Sequence, residues 1–395
     1  PELRAPELAR QLDRRRPEMA RKSGSKKASL RDRIGLNFIR PDVGRPGNHD
    51  FLNSGLWLVS QFKEMGAKWN RLAFSWVLME PQQGSFNWEP YDRIVEACDR
   101  EGIEILATLG GHFDRPPVPA WAGESLADVV RTNPAHLERF VEAWVQRYKG
   151  SIRHWEILNE PGSFHEGLTV TDYVERILKP SYAIVKSVQP DALVLPCSFD
   201  HLPALGEKKE FWDAARGYYD IHNLHIYVDW GLFRTRTSAE PDETIVRNCR
   251  ALIEKHGEAD KPLWVTEIGW WGTGNITSHA YDIYKRDPRK PSLEFLPSYR
   301  GKEILDHPVV LREDALRAEW LKDMYPRLLS VPGCEKAFLW VSLDEFEGGY
   351  DPARVYGRSA PDTSASQLDL WGIIAGDKTW RKSAHALQEL IRSSD

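Results

Sequence analysis

The chain has 395 residues, 41% of them hydrophobic and 28% charged, with a formal net charge of −5. That length suits one large α/β barrel or two domains. The mild negative charge argues against nucleic acid or an anionic membrane as partner, and no apolar run approaches the roughly 18 residues of a membrane span.

Residues 1–33 differ from the rest. The piece RRRPEMARKSGSKKASLRDR is rich in Arg and Lys and poor in large apolar residues, so it reads as a leader, linker or arm outside the core. A nucleic-acid-binding tail is the sharper reading, but no aromatics are interleaved there. Pro1 stands where an initiating Met is expected, which implies a removed N-terminus, so neither a secreted nor a cytoplasmic location follows.

From residue 34 a single domain, 34–395, is expected. Short apolar runs recur at 34–38, 69–74, 103–109, 154–159, 192–197, 221–227, 262–267 and 336–342. Amphipathic helical patterns lie between them. Asn133 is expected to cap a helix that starts at Pro134, with Leu137, Phe140, Val141, Trp144 and Tyr148 on one face until Gly150. Helices over 90–101 and 242–256 should end at Gly102 and Gly257. A further helix, 312–330, presents Leu316, Trp320, Met324 and Leu328 as a stripe. Cys98 and Cys249 fall on apolar helix faces, and none of the four cysteines has CxxC spacing. They read as buried free thiols in preference to disulfides or metal ligands.

Eight strand-helix alternations predict a (β/α)8 (TIM) barrel with long loops at about 272–310 and 343–372, after the seventh and eighth strands. A doubly wound open sheet is the alternative. It needs a glycine-rich phosphate turn after the first strand, and NFIRPDVGRPG is a poor match.

In a barrel of this kind the active site lies where the strands end. Polar residues cluster there: Asn159 and Glu160 on the fourth run, Glu267 on the seventh, His225 and Tyr227 on the sixth, and His112 after the third. Strand alternation puts Glu160 on the same side as Leu158 and Glu156, with Glu156 deeper. A buried carboxylate needs a partner to stay ionised, and Arg71 on the second run is a candidate. His222 points away from His225, and the first run carries Asn37-Phe38 where a metal-dependent barrel hydrolase wants a His pair, so no metal is expected. Two carboxylates at one barrel mouth suggest glycoside hydrolysis. The bland alternative, that both merely cap helix N-termini, explains one Glu better than two.

ILNEP (157–161) and WVTEIGW (264–270) resemble the signatures of clan A glycoside hydrolases, such as families 5 and 39, whose carboxylates end strands 4 and 7. NRLAFSW with Arg71, LGGH with His112, HIY with His225 and Tyr227, and FLWVS with Trp340 fit as well, and the likeness spans residues 34–392. The resemblance implies Glu160 as acid/base and Glu267 as nucleophile of a retaining enzyme that needs no cofactor. It further implies that Asn159 binds the sugar 2-hydroxyl, Tyr227 hydrogen-bonds the nucleophile, Arg71 holds it ionised, and Trp340 floors the cleavage subsite. His112 and His225 join the substrate-binding set. The tail TEIGWWG departs from many relatives and leaves the sugar open.

The expected partner is therefore a carbohydrate, with no nucleic acid and no membrane; oligomeric state is not read. The sixteen Trp include Trp76, Trp88, Trp121, Trp230, Trp270 and Trp271 near the expected active face. As a group they are expected to include sugar-stacking platforms. Three alternatives stay open: a transglycosylase using the same residues, a non-catalytic carbohydrate-binding barrel, and a metal-dependent hydrolase. The second usually lacks one carboxylate, and the histidine positions disfavour the third.

Overall fold

The eight apolar runs fold as eight parallel strands: β1 (Ile34–Asn37), β2 (Trp69–Phe74), β3 (Glu104–Leu109), β4 (His154–Glu156), β5 (Leu193–Leu195), β6 (His222–Ile226), β7 (Leu263–Gly269) and β8 (Cys334–Trp340). The computed structural model describes residues 29–37, 51–109, 118–161, 167–198, 209–227, 238–270, 308–343, 372–375 and 378–393. Strand order is β5-β4-β3-β2-β1-β8-β7-β6. The remaining gap is bridged by the Asp220 N–H donating to Val194 O at 2.8 Å and Asn223 Nδ2 donating to Pro196 O at 3.0 Å. The result is a nearly closed (β/α)8 barrel. The long loops expected after β7 and β8 lie almost wholly outside the described residues.

A helix follows each strand: α1 (Phe51–Met65), α2 (Glu89–Glu101), α3 (Ala135–Tyr148), α4 (Lys179–Val188), α5 (Lys209–Ala215), α6 (Glu240–Lys255), α7 (Pro308–Ser330) and α8 (Lys382–Arg392). Their apolar faces bury Phe62, Ile94, Trp144, Val185, Val246, Met324 and Leu387 against the outside of the barrel. α2 stops at Gly102, whose φ of 64° is the left-handed conformation that releases the chain from the helix. α6 is capped one residue earlier than expected, by His256, with Gly257 left-handed just beyond. Asn133 does not cap α3. It ends the preceding short helix, Leu126–Thr132, and Pro134 takes the cap position.

Alternation along each strand fills the barrel interior in layers. The floor is apolar: Trp69, Leu106, Leu195, Ile221, Trp264 and Phe338. Phe338 presses so close to β1 that a Cβ at Gly35 would meet its ring at 2.2 Å, which is why glycine stands there. Below the floor, Lys336 Nζ lies 4.0 Å from the Trp69 ring centre and donates to Asp32 O. Residues 29–33, assigned to the arm on composition, line this end. Trp69 Nε1 also donates to Asp32 O, and the Arg33 guanidinium donates to Cys334 O and Glu335 O. One step above the floor the interior turns polar, with Arg71, Thr108, Glu156, Asn223 and Thr266. All four cysteines are buried free thiols.

Candidate active site

β4 is shorter than its apolar run and ends at Glu156. Beyond it, Leu158 (φ 75°) and Glu160 (φ 33°) adopt left-handed backbone conformations, which cost a non-glycine residue about 1–3 kcal/mol each. Strand alternation therefore does not operate over 157–160, contrary to the sequence argument. Neighbours that a strand would set on opposite faces both turn inward: Asn159 Oδ1 accepts from Arg71 Nη2 at 2.6 Å, and Glu160 Oε1 meets His225 Nδ1 at 2.5 Å.

β7 bends in a second way. Against β8, Val265 pairs with Ala337 and Ile268 with Leu339, so β7 holds one extra residue. This bulge lets consecutive Thr266 and Glu267 both face the interior. Their contacts show it. Thr266 Oγ1 lies 3.0 Å from His225 Nε2, while Glu267 accepts from Arg71 Nη1 and Tyr227 Oη, each at 2.5 Å. Asn37 Nδ2 donates to Thr266 O at 3.1 Å, so a side chain serves the carbonyl at the bulge.

Arg71 sits at the centre, buried like its partners. Nε and Nη2 grip Glu156 at 2.6 and 3.0 Å, Nη1 reaches Glu267 and Asn37 Oδ1, and Nη2 reaches Asn159. Glu156 also accepts from Thr108 Oγ1 and Asn223 Nδ2, each at 2.5 Å. Burial alone would lower the Arg71 pKa, yet the charges of Glu156 and Glu267 raise it. Burial pushes the Glu267 carboxyl up, but His225, Arg71 and the Tyr227 hydroxyl together hold it below its ordinary value. His225 is likewise opposed by burial, and Glu267 and Glu160 nonetheless raise it. The Tyr227 phenol is raised well above its usual range by burial and then by the two carboxylates. Among the described residues, buried Asn159 Nδ2 has no hydrogen-bond partner, on the side chain whose Oδ1 meets Arg71.

One oxygen each of Glu160 and Glu267 and one nitrogen of His225 lie within 4.8 Å of one another. The donor chemistry does not suit a metal ion. Both Glu267 oxygens accept bonds, from Arg71 and Tyr227, the guanidinium cation lies 2.5 Å away, and His225 Nδ1 is engaged with Glu160.

Of the expected site residues, Arg71, Asn159, Glu160, His225, Tyr227 and Glu267 converge. Trp340 ends β8, half-buried, and the peptide that follows it is cis. His112, Trp230 and Trp271 lie outside the described residues. His222 faces away from the site, packed against Trp212 and Tyr219. Four tryptophans have packing roles. Trp76 stacks on Phe140, Trp88 on Phe86, Trp121 donates to Glu80 O, and buried Trp270 donates to Glu313. Sequence reasoning missed Asn37, Thr108, Asn223 and Thr266. The signal was available, since each is a polar residue within one of the eight strand-forming runs.

Comparison with known proteins gives a consistent picture. Residues 57–142 match the glycoside hydrolase family 42 model, described as beta-galactosidase. That stretch includes Arg71 and neither glutamate. The chain is 27% identical over 135 residues to endo-1,4-beta-xylanase 1 of Gibberella zeae, covering 32% of this chain and 36% of that protein. It is 28% identical over 239 residues to endo-1,4-beta-xylanase A of Halalkalibacterium halodurans, covering 51% and 55%. The chain thus spans only about a third to a half of the length of these relatives. In structure it is similar to a family 39 glycoside hydrolase of Bacteroides cellulosilyticus (TM-score 0.57, 17% identity, 92% of this chain and 64% of that one). It is also similar to a GH5_18 protein of Streptomyces cattleya crystallised with GlcNAc (TM-score 0.58, 15% identity, 92% and 80%).

Proposed function

We propose that this barrel of glycoside hydrolase clan A cleaves β-glycosidic bonds of an oligo- or polysaccharide with retention of configuration, Glu160 acting as acid/base and Glu267 as nucleophile. The observation that carries the reading is the approach of the two carboxyl groups, whose oxygens come within 4.8 Å. Retaining glycosidases hold them about 5–5.5 Å apart, leaving no room for a water, whereas inverting enzymes need about 6.5–9.5 Å.

The two environments suit different roles. Glu267, its charge favoured by Arg71 and Tyr227, attacks the anomeric carbon while Glu160 protonates the leaving oxygen. Glu160, then ionised, takes a proton from water, and the glycosyl-Glu267 ester is hydrolysed with a second inversion. No cofactor enters. The unpartnered Asn159 Nδ2 supplies a donor for a sugar hydroxyl, and the resemblance makes that the 2-hydroxyl. His112 and Trp340 join the substrate-binding set on resemblance, Trp340 as floor of the cleavage subsite. The catalytic domain takes in residues 34–395 together with 29–33, which bond to the barrel floor, and the basic segment 1–28 is assigned outside it on composition.

A panel of aryl β-glycosides and polysaccharides, with xylan first because several relatives carry that name, tests the reading. Release of reducing sugar from at least one β-linked substrate, lost in Glu267→Gln, is the expected result. Binding without turnover across the panel would favour the carbohydrate-binding alternative.

A further inference from the structure

The hydrogen bonds beneath the site run in one direction, and that direction ends at Glu160. Asn223 carries its amide between two groups that only accept, Glu156 Oε1 at 2.5 Å and Pro196 O at 3.0 Å. Its NH2 must face them, so its Oδ1 faces Thr266. An amide oxygen only accepts, so the Thr266 hydroxyl spends its single hydrogen on Asn223 Oδ1. Glu156 Oε1, 3.4 Å from Thr266 Oγ1, also only accepts, so Oγ1 is an acceptor toward its remaining neighbour, His225 Nε2, at 3.0 Å. Nε2 must therefore carry hydrogen, which makes Nδ1 the nitrogen where the ring gains and loses its proton. Nδ1 faces Glu160 Oε1 at 2.5 Å and Glu267 Oε2 at 3.5 Å.

We propose that Asn223 and Thr266 are positioning residues that fix His225 as an Nε2–H donor, so that proton exchange by its ring is directed at the acid/base Glu160. This deepens the hydrolase reading and rests on it. With the ring protonated, Nδ1–H donates to Glu160 Oε1, and the acid proton belongs on the other carboxyl oxygen. When that proton passes to the leaving oxygen, the O–H bond breaks as the new one forms, and the imidazolium stabilises the carboxylate left behind. The groups facing this pair are Glu267 on β7, Tyr227 beyond β6, Arg71 on β2 and Glu156 on β4. The raised His225 pKa agrees with a ring held as a double donor.

Thr266→Val keeps the shape and removes the acceptor. The doubly protonated ring then binds its proton less tightly, so the basic limb of kcat/KM should move to lower pH by about one unit or more, the worth of a charge-assisted bond. Thr266→Ser should restore the wild-type limb. An unchanged limb in Thr266→Val, or an equal shift in Thr266→Ser, overturns the proposal. The wild-type protein supplies a check that needs no variant to fold. In ring 15N spectra across pH, with the signal assigned by its loss in His225→Gln, Nε2 should stay protonated while only Nδ1 titrates. A bare Nε2 would refute the assignment whatever the activity. The spectrum reports the tautomer alone, whereas the hydrolase reading stands or falls on turnover and on the leaving-group behaviour of Glu160→Ala.

Discussion

Arg71 reaches Glu267 through Nη1 at 2.5 Å, the nitrogen that also bonds Asn37, while its Nε and Nη2 are tied to Glu156 and Asn159. One buried cation thus holds the proposed nucleophile and the carboxylate beneath it together. Because Glu156 fixes the planar fork, the face turned to Glu267 does not rotate away.

Removing that cation should change the pH dependence of the reaction. The Glu267 carboxyl lies below its ordinary value, so the ionised nucleophile is present above that depressed value and lost as pH falls through it. In Arg71→Met the acid limb of kcat/KM should rise by about 1–3 units, the range for one opposite charge at contact. Glu156 loses its partner as well, and breaking a buried pair costs about 3–5 kcal/mol, so thermal melting is measured alongside. A folded variant with an unmoved acid limb would show that Arg71 does not tune Glu267.

Glu160→Ala should slow turnover by about 10²–10⁴-fold on substrates with poor leaving groups, the usual range for lost general acid-base catalysis. Aryl glycosides with very good leaving groups should suffer less in the first step, because they depart without a proton. The check is kcat/KM across leaving groups of widely different pKa. Equal losses throughout would argue against the acid role.

Glu267→Gly with added azide tests the nucleophile. A small anion should enter the vacated space and yield a sugar azide of the opposite anomeric configuration to the substrate. The unaltered enzyme should release the β anomer first, read by proton NMR of early product. An α anomer appearing first would reject retention.

The barrel floor predicts where truncation begins to cost stability. Deleting residues 1–28 should leave melting temperature and activity nearly unchanged, given their basic, apolar-poor composition. Deleting residues 1–33 should lower the melting temperature by several degrees. It removes the acceptor of Trp69 and Lys336 at Asp32 and both Arg33 bonds to β8, each net hydrogen bond being worth about 1 kcal/mol. Equal melting of the two truncated proteins would show those contacts to be negligible.

The barrel was legible in the sequence because burial on both faces of a parallel strand leaves an apolar run, and amphipathic spacing marks the helices between. Eight such runs, with carboxylates at the fourth and seventh, are a local pattern, and all eight strands form where the runs stand. Arg71 could be named as a carboxylate partner because a buried charge demands one. What the sequence did not determine is orientation near the strand ends. Alternation placed Glu160 in line with Glu156, yet the inward turn of Asn159 and Glu160 depends on left-handed backbone at Leu158 and Glu160. Thr266 and Glu267, adjacent in sequence, share the interior only because β7 bulges against its neighbours. The bulge is a matter of register between strands distant in the chain, with a bond from Asn37 Nδ2 to Thr266 O beside it, and the left-handed turn brings its residues to partners on other strands. Local propensity carries no record of such long-range pairing, so the direction of the hydrogen bonds at His225 was decided by tertiary structure alone.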